Sequence, residues 1–158
     1  MVAEMTPELL REISQLPLFP RTAVDLIRIS GLEGAARIIA AWGGQQWPVP
    51  ARIGGGTARG AQRYAHLCEI VGEPAARRIV QWCGGSRLMV PNCKEVLWSR
   101  NQDLIRAEFD VLTTARGYSS PEAIFELGIK FGVTGKAIEN ALKKPDNVKI
   151  DILQGSLF

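Results

Sequence analysis

The chain has little of what metal or redox chemistry needs. It holds three cysteines, Cys68, Cys83 and Cys93, with no CxxC spacing, and one histidine, His66. A zinc site takes closely paired thiolates or a thiolate–imidazole set, and neither pattern is written here. The thiols therefore read as reduced and structural. His66, beside Leu67 and Cys68 on an expected helix, reads as a packing or surface residue. No apolar run approaches the roughly eighteen residues that span a bilayer. The opening MVAEMTPELLREISQL carries acids where a signal peptide would carry a long apolar segment. These absences point to a cytoplasmic protein without membrane contact. No activated nucleophile pair, acidic dyad or metal set is spaced as a catalytic motif, so no catalytic residue, metal ligand or cofactor is assigned. The glycines of Arg52-Ile53-Gly54-Gly55-Gly56-Thr57 lack the preceding strand and the Gly-Lys-Ser/Thr ending of a phosphate loop. They read as a connector that opens a helix.

What is present is ordinary globular composition. Of 158 residues, 46% are hydrophobic and 22% charged, which suits one domain or two small ones with a core that needs no disulfide. The net charge of +3 permits nucleic-acid binding without demanding it. Thr6-Pro7-Glu8 has the chemistry of a helix start, with Thr as N-cap and Pro in the first turn. Leu9, Leu10, Ile13 and Leu16 follow at helical spacing until Pro17 and Pro20 interrupt. A second helix is expected over Arg21 to Ile29, a turn or a soft helix start at Gly31 to Gly34, and a third helix through Ala35, Ile38, Ile39 and Trp42.

From Gly31 the text repeats. GLEGAARIIAAWGGQQWPVP (31–50) aligns without gaps on GEPAARRIVQWCGGSRLMVP (72–91), and eight of the twenty positions are identical, above what accident gives. After each Val-Pro a helix is expected, over Thr57 to Ile70 and over Lys94 to Phe109. The unit is thus helix, Gly-Gly turn, short strand, helix. A lone four-residue strand leaves its N–H and C=O groups without partners. Two copies about a local twofold can lie antiparallel and satisfy each other, so 43–50 and 84–91 are predicted to pair within the chain. Pro48 lacks an N–H and is tolerated if its missing donor faces outward.

Past ARGYSS (115–120), Ser120 is the expected N-cap of a further helix, followed by IFELGIKFGVTGKAIENALKK (124–144). Its slots match a helix-turn-helix: apolar Leu127, small Gly128 at the crossing, apolar Phe131, a turn at Gly132, and Val133 as plug. Thr134 is the second N-cap, Ile138, Ala141 and Leu142 form an inner face, and Pro145 ends the run. The outer face is Gly135, Lys136, Glu139, Asn140, Lys143 and Lys144. In a major groove, Asn140 suits adenine, Glu139 can accept from cytosine N4, and the three lysines suit phosphate.

The segment CGGSRLMVPNCKEVLWSRNQDLIRAEFD, a loop, and AIFELGIKFGVTGKAIENALKK together resemble the Mor/C family of phage middle and late transcription activators. The likeness covers about half the chain, from Glu69 to Lys144. It implies a DNA-binding transcription regulator of phage or prophage origin. In that family the strand pairs with its twin from a second subunit, the ribbon so formed lies near the operator dyad, and activation involves contact with RNA polymerase. This chain departs from the pattern by carrying a second helix–Gly-Gly–strand unit and only one helix-turn-helix.

The fold expected is therefore mainly α, a duplicated helix–GlyGly–strand–helix unit forming an intrachain two-stranded ribbon, followed by a helix-turn-helix. Domains are expected over 1–112 and over 113–158, the latter including a C-terminal tail. The expected partner is double-stranded DNA, with host RNA polymerase or another host protein as a second partner, and both monomer and homodimer are open. Candidate DNA contacts are Thr134, Gly135, Lys136, Glu139, Asn140, Lys143 and Lys144, with Gln45, Gln46, Ser86 and Arg87 on the ribbon. The alternative is a phage-encoded inhibitor or adaptor that binds a host protein through Trp42, Trp47, Trp82 and Trp98. Core packing is the preferred role for those tryptophans.

Overall fold

The computed structural model describes residues 4–146. Its elements in order are helices α1 (Pro7–Ile13) and α2 (Arg21–Trp42), strand β1 (Gln46–Pro48), helices α3 (Ala58–Val71) and α4 (Glu73–Cys83), strand β2 (Arg87–Met89), helix α5 (Lys94–Asp110), a π-helical turn (Val111–Ala115), and helices α6 (Ser120–Phe131) and α7 (Gly135–Leu142). The protein is mainly helical with one two-stranded antiparallel sheet. Among the described residues, no helix is long and apolar enough to cross a membrane.

Within the described residues two compact units form: Glu4–Gln15 with Phe19–Cys93, and Leu16–Leu18 with 94–146. The division falls at Cys93, not at the expected 112. The reason is α5, which was assigned to the first domain but packs on α6 and α7. The expected C-terminal tail, 147–158, lies outside the described residues.

In the first unit, Thr6 Oγ1 accepts from Leu9 N at 3.1 Å and starts α1 as expected. The helix stops at Ile13, one turn short of Leu16, and Ser14 Oγ folds back on Arg11 O at 2.6 Å. α2 has no four-residue turn at Gly31 to Gly34. Gly31 alone leaves the helix, at φ 78°, ψ 167°, and the helix resumes at once. Gly72, aligned with it, takes φ 84°, ψ 158° between α3 and α4. Each aligned segment thus begins at a glycine kink with a helix before it.

Burial follows the same alignment. Ile38 and Ile79 are fully buried, as are Ala35 and Ala76, and Val49 and Val90 are at most 4% exposed. The match extends upstream of Gly31, where Leu26 and Leu67 hold equivalent places and are both fully buried. The helices α2, α3 and α4 pack mutually, and α1 packs on α2.

The Gly-Gly pairs have a steric cause. A Cβ on Gly43 would lie 2.6 Å from Ile39 O, and one on Gly84 would lie 2.5 Å from Val80 O, so neither turn has space for a side chain. The second glycine of each pair sits at positive φ, 84° for Gly44 and 83° for Gly85. Each turn then delivers a short strand. β1 and β2 pair antiparallel within the chain, with Gln46 opposite Met89, Trp47 opposite Leu88 and Pro48 opposite Arg87. Beyond the strands, Val49 N donates to Ser86 O and Val90 N to Gln45 O, both at 2.9 Å. In the alternating ladder of an antiparallel pair, this places Pro48 at a non-hydrogen-bonded site, where a missing donor costs nothing.

The second unit is built on Ile105 of α5, Leu127 of α6 and Ile138 and Ala141 of α7, all at most 1% exposed. Trp98, Phe109, Leu112, Ile124, Phe131, Val133 and Leu142 close around them. The N-cap of α6 is Ser119, not Ser120: its Oγ accepts from Glu122 N at 3.3 Å and donates to Glu122 Oε1 at 2.7 Å. This reciprocal arrangement needs the acid three residues after the cap, which selects Ser119. α6 ends at Gly132, φ 67°, ψ 34°, in the left-handed region as expected. Val133 N then returns to Gly128 O at 3.0 Å. A β-branched side chain is strained at that φ, so Gly132→Val is expected to lower stability by about 1 kcal/mol or more. Denaturant unfolding of the variant measures this, and an unchanged midpoint would contradict the turn.

Candidate nucleic-acid interface

The candidate residues fall into two groups, one in each compact unit. Thr134, Gly135, Lys136, Glu139, Asn140, Lys143 and Lys144 belong to the α7 region, and all are exposed. Thr134 Oγ1 accepts from Ala137 N at 3.1 Å, so its hydroxyl is the N-cap of α7. Ile138 and Ala141 are fully buried, which turns Gly135, Lys136, Glu139 and Asn140 outward by helical period. Lys136 Nζ stands 3.8 Å from Glu139 Oε2, a solvated pair on this outer face. Lys143 and Lys144 do not continue the helix. α7 ends at Leu142, Lys143 is its C-cap, and both cations stand at the negative end of the helix dipole.

The anchor of α7 is a residue that sequence reasoning passed over. Arg106 of α5, with a side chain only 14% exposed, donates Nη1 to Ala141 O at 2.7 Å and Nε to Asp146 Oδ1 at 2.7 Å. Its Nη2 pairs with Asp103. One guanidinium thus gives a second donor to a carbonyl in the last turn of α7, which also accepts from Lys144 N at 3.2 Å. A second tie, Lys130 Nζ to Glu108 Oε1 at 2.6 Å, joins α6 to α5. The signal for Arg106 in the sequence is only an arginine on a charged helix.

On the ribbon, alternation separates two faces. Leu88, Val90 and Val49 are buried on one side with half-buried Trp47. The other side presents Gln46, Pro48, Arg87 and Met89, with Met89 49% exposed. Gln46 and Arg87 are thus outward strand residues. Gln45 and Ser86 are exposed at the turns, where Ser86 Oγ donates to Cys83 O at 2.6 Å. Pro48 and Met89 were not among the expected contacts. In the sequence Leu88-Met89-Val90 is a continuous apolar run, which does not mark the residue that faces outward.

The tryptophans divide. Trp42 and Trp47 stack at 4.6 Å with rings 10° apart, and His66 meets Trp42 edge-on at 5.3 Å. Trp98 packs against the core of the second unit, whereas Trp82 is exposed. The more prominent apolar surface is on α6, where Phe125 and Ile129, four residues apart, are 64% and 65% exposed. They border a concavity of about 480 Å³ shared with Pro121, Ile124, Gly128, Val133, Gly135 and Glu139.

Among the described residues, no group of three or more His, Cys, Asp or Glu is placed to hold a metal ion. The three cysteines are free thiols. Burial pushes the thiols of Cys68 and Cys83 upward and that of Cys93 to about 11. The connector at 52–57 is a turn whose Gly55 abuts the start of α3. No family model, curated protein or solved structure matches the chain.

Thiolate, not thiol, is the nucleophile, so Cys93 is expected to be the slowest of the three to react with iodoacetamide in the native protein at pH 8. Peptide mapping after timed alkylation reads the order, and denaturant should abolish it. The folded thiol holds its proton more tightly than the unfolded one, whose pKa is about 8.5. The stability Cys93 contributes is therefore present below that value and lost as pH rises toward 11.

Proposed function

We propose that the chain is a sequence-specific DNA-binding transcription regulator of phage or prophage origin, related in plan to the Mor/C activators. In this reading 31–50 and 72–91 are two copies of one unit, and α6, Gly132 and α7 are a helix-turn-helix. The observation that carries the proposal is the outer face of α7. A short helix, capped by Thr134 and tied down by Arg106, presents Gly135, Lys136, Glu139 and Asn140 to solvent after a left-handed glycine turn. A recognition helix works in this way: side chains on its outer face reach base edges, and cations beside them meet phosphate. Asn140 is the base-reading residue, Lys136, Lys143 and Lys144 are phosphate contacts, and Glu139 accepts from cytosine.

The ribbon supports the same reading. Its outward face combines Arg87 and Gln46 with the apolar Met89 and Pro48. Cationic and amide side chains beside apolar wedges suit a minor groove, where they follow groove width and open a base step. Gln45 and Ser86 border that face.

A second reading is favoured by Phe125 and Ile129. Two large apolar side chains exposed one turn apart on α6 mark a protein-binding surface more than a phosphate-facing one. An adaptor or inhibitor acting on a host protein would use this face. An activator would offer it to host RNA polymerase. Salt separates DNA binding from protein binding, because phosphate contacts make affinity fall steeply with salt.

The test is a pair of substitutions. Lys136→Ala should weaken binding to every duplex alike and reduce the salt slope by about one unit. Asn140→Ala should cost roughly 1–3 kcal/mol at the preferred sequence and little elsewhere. Both side chains are exposed, so folding should survive. Anisotropy titrations at two salt concentrations measure the difference. Absence of salt-dependent duplex binding by the unaltered protein would transfer the assignment to the protein-binding reading.

A further inference from the structure

The strand register is unchanged when the two aligned segments are exchanged. Trp47 and Leu88 hold equivalent places and pair with each other, while the Gln46–Met89 pair maps onto Arg87–Pro48. The flanking bonds follow the same exchange: Gly44 N to Val90 O at 2.8 Å becomes Gly85 N to Val49 O at 3.1 Å. A twofold of this kind ordinarily relates two subunits through one self-complementary surface. Here both strands belong to one chain, and their facing backbone groups are satisfied without a second copy. Among the described residues, α5, α6 and α7 have no second counterpart.

The exposed residues break the symmetry that the backbone keeps. At equivalent places stand Gln45 and Ser86, Gln46 and Arg87, and Pro48 and Met89. Two identical DNA half-sites flanking the ribbon would meet different side chains on its two halves. Selection for a palindrome would keep such positions alike.

We infer that one chain binds an asymmetric duplex site, with a single major-groove recognition helix and no second copy across a dyad. This rests on the DNA-binding reading above and specifies its substrate. The α7 region provides Lys136, Lys143 and Lys144 as phosphate contacts. Three contacts give a slope of log affinity against log salt of about −3, and two chains would give about −5.

The experiment starts with selection of duplexes from a random library by the full chain. Native mass spectrometry of the enriched complex and a salt titration of its affinity follow. The expected result is a non-palindromic consensus, one chain per duplex and the shallower slope. A palindromic consensus holding two chains, with the steeper slope, overturns the inference and leaves the DNA-binding reading standing. Failure of any duplex to enrich, together with no salt-dependent binding to the starting library, removes both.

Discussion

The pairing of β1 with β2 is the constraint on which the first unit depends. A three-residue strand cannot stand alone, because each backbone N–H and C=O removed from water needs a partner. The partner strand lies about forty residues away, so the helices between must bring it back in register. That requirement explains the two Gly-Gly pairs. At Gly43 and Gly84 the chain turns so closely onto the preceding helix that no Cβ fits. It also explains the buried Val49 and Val90, which end each strand inside the core. Ribbon and core are one structure: Leu88 and Val90 bury the inner face, and burial fixes the register, since a slip of one residue would turn them outward.

The second unit depends on different physics. Its sharp turn is stabilised by the left-handed backbone at Gly132, and its helices close on Ile105, Leu127, Ile138 and Ala141. α7 has only eight residues, too few to be stable as an isolated helix in water. Its persistence comes from the Thr134 cap at one end, the Arg106 guanidinium at the other and two fully buried side chains between. A short helix held at both ends can carry a wholly polar outer face.

The two candidate surfaces differ in character. The α7 region is polar and bears three lysines, and the ribbon adds an arginine. The α6 face is apolar at Phe125 and Ile129, close in sequence to Glu122 and Glu126. A DNA-binding regulator that also meets a protein needs both kinds of surface. A protein-binding adaptor needs only the second.

Much of the local structure was legible in the sequence. The caps at Thr6 and Thr134, the break at Gly31 and the left-handed Gly132 follow from rules that act over three or four residues. The antiparallel intrachain ribbon followed from the repeat and the backbone's need for partners. Other features were not legible. Ser119 displaced Ser120 as N-cap because a reciprocal bond to Glu122 favoured it. Leu26 and Leu67, upstream of the aligned segments, are both fully buried, which nothing in the residues around them marked. The domain boundary moved to Cys93 because α5, polar along much of its length, gave no sign of which helices it would pack on. The outward placing of Met89 and the anchoring by Arg106 depended on partners distant in the chain. The sequence alone determined the caps at Thr6 and Thr134 and the turn at Gly132, because those choices are settled by neighbours on the chain. Only tertiary structure decided which faces look outward and which cation holds α7, because those choices are settled by groups that folding brings together from far apart.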